Sequence, residues 1–148
     1  MIELAKQEDR TKGRCQYVVN AYNDLHNFAD SSYDFVYSNI TLQHIPPASA
    51  LRFLREFVRV LRPDGMLLFQ LPSHRDASGL LGFVSRLEPI WFRAWRFHPF
   101  EVYATPQKRV IAVLEAAGAQ VIDVKPDTHA AGWAGFRYAA TKSSLLDL

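Results

Sequence analysis

The chain has 148 residues, 49% hydrophobic and 22% charged, with a formal net charge of +2. That composition supports a packed core and excludes a disordered tail, and the charge is too small to argue for nucleic acid. The single cysteine, Cys15, excludes an intrachain disulfide and a cysteine-built zinc site. The opening MIELAKQEDR has no long apolar run, and nowhere does the chain reach the roughly 20 apolar residues of a spanning helix, so a cytoplasmic setting is the default expectation.

In chain order, Met1 to Glu8 reads as a helix stopped by Gly13, with Ile2 and Ala5 on one side. Gln16 to Asn20 (QYVVN) is short, β-branched and apolar, as a buried strand is. Ala21 to Ser32 carries Asn23, Asp24, Asn27 and Asp30 and reads as loop. Tyr33 to Ile40 is a second strand. Pro46-Pro47 opens a helix from Ala48 to Leu61, with Leu51, Leu54, Val58 and Leu61 in one stripe. Glu56 and Arg59 on it read as a solvated face or an ion pair. Arg62-Pro63-Asp64-Gly65 breaks the helix, and Met66 to Leu71 is a strand apolar enough to be covered on both faces. Strand, helix, strand implies a parallel βαβ unit.

Ser73 to Phe100 has a different character. On a helical wheel Leu80, Val84, Leu87, Trp91 and Trp95 share a face, and Arg86, Arg93 and Arg96 lie opposite, with Pro89 splitting the run. A core-packing face with exposed arginines ranks first, a substrate wall second, and membrane or nucleic-acid contact third. Thr105 then looks like an N-cap before Pro106, for a helix running to Ala117 and ending at Gly118. Val121 to Lys125 and Phe136 to Thr141 are the fourth and fifth strands, with a polar tail after them. No composition shift marks a linker, so residues 1–148 read as one domain with an aromatic and basic insertion at about 73–100.

The stretch YDFVYSNITLQHIP, a helix ending FVRVLRPDG, and MLLFQLPS resembles the methyltransferase type 11 branch of the class I S-adenosylmethionine-dependent methyltransferases. Asp34, His44, the run Arg59 to Pro63, and Gly65 fill the family's places in order, while Asp64 stands where the family usually has glycine. The resemblance runs from Met1 to roughly Thr141 and is weak between Ser73 and Phe100. It implies an α/β fold: a partial Rossmann-like methyltransferase sheet without its first two strands, mostly parallel, with an antiparallel last strand. It also implies S-adenosylmethionine as cofactor and methyl transfer to a small-molecule acceptor, with no nucleic acid and no metal. Asn20 and Ala21, after the first strand, take the place where the family holds adenine. Ser38 and Asn39 take the place where its loop touches the methionine part. His44 is the candidate general base. On the residues alone the favoured reading is the plainer one: Asn20 a turn former, Ser38 a satisfied hydroxyl at a strand end, and His44 a structural or merely solvated loop residue.

The family's glycine-rich loop and its ribose-gripping acid have no counterpart, since Gly13 is alone in the first half of the chain. MIELA resembles the family helix that follows the strand bearing that acid, so Met1 falls at an internal family position. The expectation is a late start or a truncated gene, poor cofactor binding by this chain alone, and a strand at Tyr33 to Ile40 with a bare hydrophobic edge inviting self-association. The rival expectation is a non-catalytic remnant serving as an interaction or regulatory module.

Overall fold

The computed structural model describes residues 2–75, 101–127 and 133–142. The elements are α1 (Ile2–Gln7), β1 (Tyr33–Ser38), α2 (Pro47–Val60), β2 (Leu61–Arg75), α3 (Gln107–Ala116), β3 (Ala119–Asp127) and β4 (Trp133–Lys142), with a 3-10 turn at Leu42–His44. The strands form one sheet in the order β1-β2-β4-β3. β1 and β2 are parallel neighbours, with Val36 beside Leu67 and Ser38 beside Phe69. β4 lies between β2 and β3 and runs antiparallel to both. Three strands therefore share one direction and the last opposes them, as expected of an α/β sheet of this kind.

The core lies on one face of this sheet. Leu51, Leu54 and Val58 of α2 and Val110 and Leu114 of α3 pack there against Leu67, Phe69, Leu71 and Tyr138. The Phe69 and Tyr138 rings stack with centroids 4.8 Å apart. The stripe read from the sequence of α2 is the stripe that is buried. β2 is not covered on both faces, however. Met66 is 45% exposed, and Tyr33, Phe35 and Tyr37 of β1 are open beside it.

Three sequence expectations need correction. Gln16 to Asn20 is not a strand: Val18 and Val19 are 52% and 69% exposed in an irregular segment. A β-branched run becomes a strand only where a neighbour satisfies its backbone groups, and none of the described strands pairs with it. Thr105 does not cap α3. Pro106 is the cap residue, no side-chain bond closes the turn, and Thr105 is buried with its N–H donating to the Pro72 carbonyl at 2.8 Å. The strand read as Met66 to Leu71 begins earlier, at Leu61, so that Arg62 to Gly65 follows the end of α2 as expected and is itself part of β2. There the register jumps, Tyr33 pairing Leu61 and Phe35 pairing Met66. Asp64 adopts φ 59°, which explains why glycine suits that position. A Cβ at Gly65 would lie 2.9 Å from the Arg62 carbonyl and 3.0 Å from that of Asp34. The amphipathic reading of residues 80–96 and the polar tail lie outside the described residues.

Arg59, read with Glu56 as a solvated face or an ion pair, forms the ion pair and is a half-buried hub. Its Nε and Nη2 donate to the two carboxylate oxygens of Glu56 at 3.0 and 2.8 Å, and the guanidinium also donates to the carbonyls of Leu25 and Phe28 and to Asp30. Glu56 accepts the Leu25 N–H at 3.0 Å. The Arg59 guanidinium holds the Glu56 carboxyl below its ordinary value; partial burial opposes that, and the Leu25 N–H assists it. A depressed carboxyl stabilises the fold fully above its unfolded value of about 4.3, and that stabilisation is lost as pH falls through the lower folded value. Arg59→Ala is expected to lower stability by about 2 kcal/mol in urea unfolding, between an exposed and a fully buried pair, and to flatten the acid side of the stability profile. A loss below about 0.5 kcal/mol would mark the pair as merely superficial.

Candidate functional site

Parallel neighbours put their carboxyl ends on one side of the sheet, and in open α/β sheets ligands bind outside those ends. Here that side is built by the loop after β1 and the end of β2. Ser38 closes β1 and is buried; Asn39 follows and is exposed. Ile40 then adopts φ 60°, a left-handed conformation that a β-branched residue rarely takes. The Thr41 hydroxyl donates to the Asn39 carbonyl at 3.1 Å, fixing the turn.

Asn20 and Ala21 lie in the exposed segment before β1. The Asn20 amide serves its own turn, with Nδ2 donating to the Asp24 carbonyl at 2.8 Å and Oδ1 accepting the Tyr22 N–H at 3.1 Å. That is turn-forming work, and it leaves Oδ1 a second lone pair for a ligand donor. No hydrogen bond joins this pair to Ser38 and Asn39 among the described residues. His44 ends the 3-10 turn, with Nδ1 3.0 Å from the Glu101 carbonyl and Nε2 3.1 Å from the Gln43 amide nitrogen. The ring is therefore tethered at both nitrogens, although His44 is exposed. Sequence reasoning missed Gln43, which is buried, and Gln70, a buried amide in β2 whose Oε1 has no hydrogen-bond partner among the described residues. The only signal for either was a polar residue inside an apolar run. Among the described residues no group of histidine, cysteine and carboxylate side chains is placed to hold a metal ion.

A family model described as a methyltransferase domain matches residues 1–69. A solved structure of a SAM-dependent methyltransferase from Methanosarcina mazei aligns with 96% of this chain at a TM-score of 0.69, with 21% identity. Residues 1–69 thus resemble a methyltransferase domain, and the chain shares the fold of S-adenosylmethionine-dependent methyltransferases. It spans 77% of the Methanosarcina methyltransferase. The magnesium protoporphyrin IX methyltransferase of Synechocystis, solved with bound SAH, is similar in fold at TM-score 0.58 and 15% identity over 76% of this chain and 46% of its own. The 1,6-didemethyltoxoflavin-N1-methyltransferase of Burkholderia thailandensis, bound to that compound and S-adenosylhomocysteine, aligns at TM-score 0.52 and 17% identity over 78% of this chain and 46% of its own. This chain thus spans less than half of those two methyltransferases. No curated protein matches it in sequence.

The strain at Ile40 is open to direct measurement. Ile40 is 49% exposed, so little burial offsets the left-handed backbone. Ile40→Asn, which tolerates that conformation, is expected to raise stability by about 1 kcal/mol in chemical unfolding. A loss of stability would mean that the isoleucine side chain contributes more than the backbone costs.

Proposed function

We propose that this chain, folding as one domain over residues 1–148, takes part in S-adenosylmethionine-dependent methyl transfer to a small-molecule acceptor. The observation that carries the reading is the sheet itself: a parallel β1–β2 pair next to an antiparallel last strand. The sequence match over residues 1–69 and the small organic acceptor of the Burkholderia methyltransferase support it. Bound S-adenosylmethionine supplies an electrophilic methyl group. In this reading Asn20 Oδ1 accepts the adenine amino group and the Ala21 backbone borders the ring. Ser38 and Asn39 border the methionine part, and His44 stands on the acceptor side. The rate comes mainly from holding the acceptor in line with the methyl group. Nothing in the reading calls for a nucleic acid or a membrane surface, and no helix among the described residues is long and apolar enough to cross a membrane.

Residues 1–64 contain one glycine, Gly13, so these 148 residues supply no glycine-rich cradle. Several absent contacts, at about 1 kcal/mol each, put binding by this chain beyond the micromolar range. Calorimetry at micromolar concentration is expected to show no binding of S-adenosylmethionine, whereas equilibrium dialysis at millimolar S-adenosylhomocysteine is expected to show retention. The exposed substitution Asn39→Trp, which fills the crevice, should reduce retention at least tenfold. Equal retention by both proteins, or none by either, would contradict the site.

A second reading, an interaction module, is favoured by the outer edge of β1. Tyr33, Phe35 and Tyr37 are 41%, 54% and 59% exposed there. They border an apolar groove of about 290 Å³ that also involves Leu25, Phe28 and Phe57. An unpaired hydrophobic edge invites another strand, and a second copy of the chain is the partner this reading expects.

A further inference from the structure

The loops at the carboxyl ends of β1 and β2 are tied together by a segment much later in the chain. Residues 101–107 cross both. The Tyr103 N–H donates to the Gln43 carbonyl at 2.8 Å, the Thr105 N–H to the Pro72 carbonyl at 2.8 Å, and the Gln107 N–H to the Ser73 hydroxyl at 3.3 Å. His44 Nδ1 lies 3.0 Å from the Glu101 carbonyl, 57 residues away. Gln43 is 7% exposed and Thr105 2%, so the strap is seated in the protein rather than draped over it.

The hydrogen-bond chemistry fixes the state of the imidazole. A carbonyl oxygen only accepts, so Nδ1 must carry a proton to bond Glu101. In the neutral ring Nε2 is then an acceptor, and the Gln43 amide N–H, 3.1 Å away, donates to it. Gln43 thus holds the strap through its backbone carbonyl and the histidine ring through its side chain. A proton taken up at Nε2 would break the second of these bonds.

We propose that Gln43 and His44 form a latch that positions residues 101–105 as a wall across the ends of β1 and β2, with His44 a positioning residue rather than the proton acceptor. What the wall borders rests on the methyl-transfer reading; the latch itself does not. The Tyr103 hydroxyl donates to the Glu101 carboxylate, which holds the phenol above its ordinary value, so the wall keeps its own polar groups paired.

The test uses the whole chain labelled with 15N. The His44 ring is expected as the Nδ1–H tautomer, read from its two nitrogen shifts. His44→Asn places an amide N–H where Nδ1–H was and should leave hydrogen exchange at the Tyr103 amide within about twofold of the parent. His44→Leu removes the donor and should speed that exchange about tenfold. An Nε2–H ring, or equal Tyr103 exchange in all three proteins, would overturn the latch. If His44→Leu fails to fold, the parent's tautomer and the His44→Asn exchange rate decide alone. Neither readout uses cofactor, so failure of cofactor binding leaves them intact.

Discussion

Two strands cannot lie side by side and parallel unless the chain returns across the sheet between them, and that constraint organises this protein. Residues 47–60 make the return as α2, whose Leu51, Leu54 and Val58 then cover Leu67 and Phe69. Once β1 and β2 share a direction, their carboxyl ends share a side. Ser38, Asn39, the 3-10 turn and the Pro72-Ser73 end of β2 are brought together by that geometry alone, before any of them does chemistry. The same constraint leaves the outer edge of β1 and its aromatic residues open. The candidate site and the candidate interaction surface are two consequences of one parallel pair.

The carboxyl end of α2 holds this arrangement in place. Its last carbonyls, at Arg59 and Val60, accept the N–H groups of Ser31 and Ser32 at 3.0 and 2.8 Å. The Lys142 ammonium, at the end of β4, donates to the carbonyls of Arg59 and Leu61, a cation placed where the helix dipole favours it. With the Arg59 guanidinium reaching back to residues 25–30, one helix end joins the loop before β1, the start of β2 and the finish of β4. Residues 2–20 lack such anchors: α1 buries no residue.

Much of the fold was legible because its signals are local. The α2 stripe has a period of 3.6, Met66 to Leu71 is apolar except for Gln70, and Gly118 follows the end of α3 as expected. Gln16 to Asn20 failed for the opposite reason. Its residues favour a strand, but a strand is a relation between two segments, and composition cannot say whether the partner is there. At the site, Ser38 and Asn39 were legible as the end of a strand. The role of Gln43 was not, because its meaning comes from Glu101 and Tyr103, which no spacing rule connects to it. Arg59 was underestimated in the same way: its three acceptors beyond Glu56, at Leu25, Phe28 and Asp30, come from loop residues that composition treats as solvated.

The central claim is that the carboxyl end of β1 is a cofactor-facing surface. It is tested most directly by mapping amide chemical shifts of the whole chain as S-adenosylhomocysteine is added to millimolar concentration. The account predicts saturable shifts centred on Ser38, Asn39 and Ile40, with smaller ones at Asn20 and Ala21, and none along the outer edge of β1. Shifts confined to the Tyr33 to Tyr37 edge, or none anywhere at saturating ligand solubility, would contradict it.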